Sequence, residues 1–186
     1  RSAERLKQLQ TTAEAHGEAG VIEILPFDLT AQYPEETLLP FVRERLGHVD
    51  ILINNAGTLI NRPFTDTLPV EFARVMEVNF IAPVQVIQCL LPLIAVDGHI
   101  VNIGSMGGFP GSVKFPGLSA YSASKAALHT LTECLAAELT GSGIKINCLA
   151  LGSAQTEMLE KAFPDYRSPV SALEMGEYIA HFAVHG

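Results

Sequence analysis

The stretch "SAYSASKAALHTL", residues 119–131, sets a tyrosine and a lysine four positions apart in a run otherwise rich in alanine and leucine. On a helix, Tyr121 and Lys125 lie one turn apart and roughly 40° apart around the axis, so they face the same way. A phenol with an ordinary pKa of about 10 is a poor base at neutral pH unless a nearby cation favours phenolate. Lys125 is placed to be that cation, and the pair is suited to moving a proton. Standing alone, it also reads as a lysine tail lying beside an exposed tyrosine.

Two other short stretches carry similar weight. "NNAG" at 54–57 puts two amides and a glycine directly after an apolar run, where a flat ligand can approach the main chain, or where the chain simply turns. Ser105 ends "HIVNIGS" and offers a hydroxyl that suits either chemistry or a turn cap.

These residues need elements to position them. Leu6 and Leu9 among alternating charges predict a surface helix over 2–16, and "EAGVIEILPFD" then predicts a strand ending at Asp28. "PEETLLPFVRERLG" reads as a helix opened by proline and two acids and closed by Gly47. "VDILINNAG" is a short buried strand running into a turn. Residues 69–95 form a long helical segment that Pro83 and Pro92 kink or end. "HIVNIGS" is the next strand. A Gly/Pro/Ser-rich loop over 104–117 leads into a helix over 119–140, with Leu128, Leu131, Leu135 and Leu139 on one stripe. "IKINCLA" is a last apolar strand, followed by short helices around 156–163 and 171–183. Strands alternating with helices, several of them continuously apolar, predict an α/β fold with a parallel sheet. In such sheets the ligand crevice lies beyond the carboxyl ends of the strands, where Asp28, Asn54–Gly57, Ser105 and Leu151–Thr156 fall.

Composition narrows the function. The 186 residues, 48% hydrophobic, suit one domain spanning 1–186. Twenty acidic against twelve basic side chains give a net charge of -8, which repels a phosphate backbone and argues against nucleic acid. The run "CLLPLIAV" at 89–96 is too short to cross a bilayer, so no membrane span is expected. Cys89, Cys134 and Cys148 read as buried free thiols in a reducing compartment, which places the chain in the cytoplasm. Histidines at 16, 48, 99, 129, 181 and 185 show no paired spacing for zinc, and no metal is expected. His129, one turn beyond Lys125, reads as solvent edge or an interface contact.

Taken together, "NNAG", "VMEVNF" with Asn79, "IVNIGS", "YSASK" and "IKINCLALG" resemble the short-chain dehydrogenase/reductase family, in its order and close to its spacing. The resemblance implies a doubly wound, Rossmann-like parallel sheet between two helical layers, and a catalytic group of Asn79, Ser105, Tyr121 and Lys125. Tyr121 would be the general acid in carbonyl reduction and the base in alcohol oxidation. Ser105 would hold the substrate oxygen, Lys125 would lower the phenol pKa and bond the nicotinamide ribose, and Asn79 would hold a water linking Lys125 to solvent. For the cofactor it implies Asp28 at the adenine, Asn54, Ala56 and Gly57 along the adenine ribose, and Gly152 and Thr156 near the carboxamide or pyrophosphate. The substrate would be a small carbonyl or alcohol and the assembly a homodimer or homotetramer, with the helices over 69–95 and 119–140 as subunit faces.

Four departures accompany the matches. The family's glycine-rich phosphate turn is absent; Arg1 falls just after the family's second strand and its closing strand lies beyond Gly186, so the sheet is expected to be incomplete at both ends. Leu151 stands where the family usually has proline. The interval from Ser105 to Tyr121 is a few residues longer than usual, with "GSVKFPG" as the insertion, which reshapes the substrate mouth. "FPDYRSP" at 163–169 has the position of a lid. Arg1, a basic residue at the end of the second strand, suits the 2'-phosphate of NADP, so NADP(H) is preferred over NAD(H). A non-catalytic dinucleotide-sensing or scaffolding domain of the same fold is the competing expectation. A third, an unrelated α/β domain, requires that Tyr121 and Lys125 do not meet Ser105 across one crevice.

Overall fold

The computed structural model of the protein describes residues 2–15 and 20–186. Its sheet consists, among the described residues, of β1 (Val49–Asn54), β2 (Ile94–Ile103) and β3 (Lys145–Leu149), all parallel and in that spatial order. The helices are α1 (Ala3–Ala15), α2 (Pro34–Arg45), α3 (Pro69–Met76), α4 (Ala82–Leu90), α5 (Ser119–Glu138), α6 (Glu157–Ala162) and α7 (Ala172–His185). This is the expected α/β class with helices on both faces of a parallel sheet.

Register explains the layers. Leu52, Ile100 and Ile146 are partners across the three strands. Their row packs under Ile87 of α4, Leu135 of α5 and Leu139 just beyond that helix. Val101, Ile103 and Leu149 project from the other face and meet Ile179, Phe182 and Ala183 of α7. Alternate residues thus serve opposite layers, as the twofold strand period requires. Ile51 and Ile53 of β1 remain more than a third exposed.

α2 follows its sequence signals: Pro34 opens it, Glu35 and Glu36 occupy the first turn, and Arg43 and Arg45 the last. Gly47 then takes φ +80° and donates its N–H to the Val42 carbonyl, a left-handed stop that favours glycine.

Three expectations need correction. The strand ending at Asp28 is not formed over residues 20–28, because a ladder needs a partner and β1 bonds only to β2 among the described residues. The 69–95 segment is not a uniform helix: a π-turn, Glu77–Ile81, joins α3 to α4, and a short 3-10 turn at Leu91–Leu93 carries Pro92 into β2. Over Pro69–Leu93 this segment is long and apolar enough to cross a membrane, but half of it is buried inside the protein and it packs as a core helix. Third, Cys134 is exposed on α5, while Cys89 is buried and Cys148 half-buried; all three are free thiols.

Candidate active site

α5 carries two of the candidate residues, Tyr121 and Lys125. Its buried positions include Ala120, Ser124, Lys125, Leu128, His129 and Thr132, so an alanine- and leucine-lined helix turns a strip of polar side chains toward the sheet. Lys125 is only 4% exposed, and its ammonium donates to the Ile103 carbonyl at 2.6 Å. Burial depresses its pKa to about 8, with the Cys148 thiol acting in the opposite sense. The Tyr121 ring sits 5.9 Å from the Lys125 ammonium.

Tyr121 corrects an expectation. Its pKa is raised, chiefly by burial, and a side-chain hydrogen bond from Ser105 works against that rise. The phenol is therefore held neutral here, because desolvation outweighs its polar neighbours. Ser105 comes from the end of β2, in extended conformation, and its Oγ also accepts from Gly107 N–H at 3.1 Å. It is both a turn cap and a partner of the phenol. Tyr121, Lys125 and Ser105 thus meet at one crevice beyond the carboxyl end of β2.

Asn79 is fully buried in the π-turn. Its side chain is fully engaged: Nδ2 donates to the Thr58 carbonyl and the Ser124 hydroxyl, both at 2.9 Å, and Oδ1 accepts from Thr58 N–H at 2.7 Å. It clamps the loop after β1 to α5. Pro83 has no N–H, so the main-chain carbonyl of Asn79, four residues earlier, is released from the usual helical bond.

The loop after β1 carries Asn54, Ala56 and Gly57. Asn54 is buried and donates to Asn102 Oδ1 at 2.8 Å, and Asn102 donates to Thr132 at 2.9 Å. Asn54 is a structural link across the sheet, while Ala56 is exposed. A Cβ built on Gly57 would lie 3.5 Å from Asn79 Oδ1 and 3.8 Å from Lys125 Nζ, so its bare main chain faces the ammonium. A cleft of about 370 Å3 opens here, between Gly57–Asn61 and α6.

The remaining positions lie on other loops. Asp28 lies in the turn before α2, where its carboxylate accepts from the Thr30 N–H and hydroxyl. Gly152 follows β3 with open space where a side chain would stand. Thr156 caps α6, accepting from Leu159 N–H. Met106 N–H donates to the Leu151 carbonyl at 2.9 Å, joining the Ser105 loop to the loop after β3. The 163–169 segment is fastened to that second loop, with Ser153 bonded to Tyr166 at 3.0 Å and to Ser168 at 3.2 Å. Arg1 lies outside the described residues.

Two residues escaped the sequence reading. Ser124 is fully buried, takes the bond from Asn79 and donates to the Tyr121 carbonyl at 2.7 Å; its place three residues after Tyr121 on the helix was the available signal. His129 is not a solvent edge. It is 8% exposed, with Nε2 3.2 Å from the Ser105 carbonyl and its ring edge-on to Phe109. Among the described residues no group of acids, histidines or cysteines could hold a metal.

Comparison with known proteins agrees with this arrangement. The family model described as short chain dehydrogenase matches residues 1–167. A fatty acyl-CoA reductase of Acinetobacter baylyi is 34% identical over 163 residues, covering 86% of this chain and 54% of that one. The structure of a short chain dehydrogenase from Pseudomonas syringae superposes with a TM-score of 0.88 at 26% identity, over 98% of this chain and 75% of that one. Another, from Escherichia coli CFT073 and complexed with NADPH, gives 0.83 at 28% identity, over 96% and 76%. With the parallel-sheet architecture shared and the family model matched over residues 1–167, the chain belongs to the short-chain dehydrogenase family.

Proposed function

We propose that the protein is an oxidoreductase that interconverts a ketone or aldehyde and its alcohol with NADP(H), or with NAD(H) as the second choice. The observation that carries this reading is the meeting of Tyr121, Ser105 and Lys125 at one crevice. The chain's own residues suit a dinucleotide: at Gly57 the main chain is bare and faces the Lys125 ammonium, a cradle that a Cβ would begin to fill. The neighbour solved with NADPH supports the choice of cofactor. When bound, the dinucleotide supplies the hydride that ends on the carbonyl carbon.

Each residue then has a duty. Tyr121 gives its phenol proton to the carbonyl oxygen in reduction and recovers it in oxidation. A phenol kept neutral by burial is already in the form that reduction needs. Ser105 donates to the same oxygen, where charge grows in the transition state. Lys125 holds the nicotinamide ribose and relays the proton. Asn79 holds the linking water through its released main-chain carbonyl, since its side chain is occupied by Thr58 and Ser124. Asp28, Asn54 and Ala56 line the adenosine end, Gly57 carries that wall up to Lys125, and Gly152 and Thr156 line the nicotinamide and pyrophosphate end. Arg1 favours the 2'-phosphate. The protein acts on a small molecule in the cytoplasm as a homodimer or homotetramer, with α3, α4 and α5 supplying the subunit faces.

Tyr121→Phe in the full-length protein tests the reading, because it keeps the ring and removes the proton. NADPH consumption with reactive carbonyls should fall by about 10²–10⁴-fold in kcat. An undiminished rate would remove Tyr121 from the chemistry. NADPH binding without turnover over a broad carbonyl panel would favour the sensing alternative.

A further inference from the structure

A second cavity, of about 690 Å3, adjoins the crevice. Pro63 and Phe64 form one wall, Phe115 and Pro116 the other, and Leu118 and Ser122 bring it to the start of α5. Phe64 and Phe115 are 71% and 60% exposed, a large apolar area left to solvent even though the Phe64 ring meets Phe72 edge-on at 6.1 Å between centroids.

Three observations say what the cavity receives. Its lining is largely apolar and carries one charged side chain, Lys114, whose ammonium is turned back onto the Phe109 carbonyl and the Ser112 hydroxyl, both at 2.7 Å, while Arg62 beside it is paired with Glu71 at 2.7 Å. Its walls are already joined, since Arg62 N–H donates to the Gly117 carbonyl at 3.0 Å. Gly117, at φ +85°, leans its Cα against the Asn61 side chain with no room for a Cβ. Finally, it is next to the reacting groups. A Cβ built on Gly107 would lie 3.3 Å from Ser122 Oγ and 3.5 Å from Ser105 Oγ, so one bare glycine separates the cavity wall from the serine that faces the phenol.

We propose that this cavity takes the apolar tail of the substrate, an alkyl chain or ring, while its carbonyl group lies between Ser105 and Tyr121. The inference rests on the oxidoreductase reading for the carbonyl end. The tail site itself rests on the cavity. The volume lies within the usual range for ligand pockets, about 300–1,000 Å3. Each methylene buried there should raise kcat/KM about fourfold, the equivalent of about 0.8 kcal/mol.

The test uses the full-length protein with NADPH and a homologous series of propanal, hexanal and decanal. The expected result is a rise in kcat/KM of at least about tenfold from propanal to hexanal. Phe64→Ser and Phe115→Ser, both at exposed positions, should each cut the hexanal-to-propanal ratio at least about threefold. A flat series, or a ratio that neither variant changes, overturns the proposal. Calorimetric titration of 1-decanol into the parent and the variants gives a readout that needs no turnover. Decanol binding weakened by either substitution, with no carbonyl reduced, would sustain the tail site and sink the oxidoreductase reading. No decanol binding, or binding indifferent to both substitutions, sinks the tail site even if propanal is reduced. Sedimentation completes the set: variants that fall apart into monomers with an unchanged chain-length ratio would make this face a subunit interface instead.

Discussion

The two sides of Ser105 are built differently. On the sheet side, polar side chains are buried and paired in series: Asn54 to Asn102, Asn102 to Thr132, Thr132 to the Leu128 carbonyl, and Asn79 to Thr58 and Ser124. No buried side-chain nitrogen or oxygen among the described residues lacks a partner. On the outer side, the 106–118 loop and the residues around Phe64 present Met106, Phe109, Val113, Phe115 and Phe64 to solvent. The inner side is rigid because each of its groups has too much to lose by moving. The exposed side chains of the outer side are free to vary, since little of the fold depends on them. On the function proposed above, proton chemistry and substrate choice fall to structurally separate materials.

Substitutions can probe that contrast. The largest effect is expected at Lys125. Its folded pKa of about 8 lies below the ordinary 10.5, so between those values the unfolded chain still holds the proton that the folded chain has released. Unfolding then takes up a proton, and stability rises with pH across that window, whereas below pH 8 both states are charged and the slope vanishes. Relative to Lys125→Met, the parent should gain about 3 kcal/mol between pH 7.5 and 10.5. Urea melts at several pH values measure it; parallel curves would show that the lysine is not desolvated.

Gly104→Ala comes next. Its Cβ would stand 2.7 Å from Cys148 Sγ and 2.8 Å from the His129 ring, so a loss of about 1–3 kcal/mol is expected. Adding His129→Ala removes one of the two obstructions and should return part of the loss, which thermal midpoints of the single and double variants will show. If the glycine change is neutral, the inner side is softer than described. The smallest effect belongs to the outer side: Val113→Ser, at a position 75% exposed, should shift stability by no more than about 0.5 kcal/mol. A large loss there would erase the distinction between the two regions.

Much of the inner side was legible in the chain. The four-residue step from Tyr121 to Lys125 and the placement of Ser105 at a strand end follow from helix and sheet geometry, and the structure brings all three together. Asn79 was harder to read. Its side-chain partners are 21 and 45 residues away, and a π-turn breaks the 3.6-residue period by which a helix face is inferred. His129 was misplaced because its burial depends on space left by a glycine on another element. The direction of the Tyr121 shift was missed for a related reason: proximity of a cation is visible in spacing, whereas desolvation is a property of the packed whole. The run up to Asp28 has strand composition, but composition cannot provide the neighbour a strand must pair with.

The bond from Met106 N–H to the Leu151 carbonyl gives the crevice a shared hinge line. One loop leads to Gly152 and Thr156 and the other to Ser105 and the apolar cavity, so a shift of either rim strains a bond that it shares with the other. Any free energy that an occupant of one rim invests in that displacement is returned, equal in size and sign, to an occupant of the other. On the oxidoreductase reading proposed above, cofactor and substrate affinities become reciprocal quantities, measurable from either direction and required to agree.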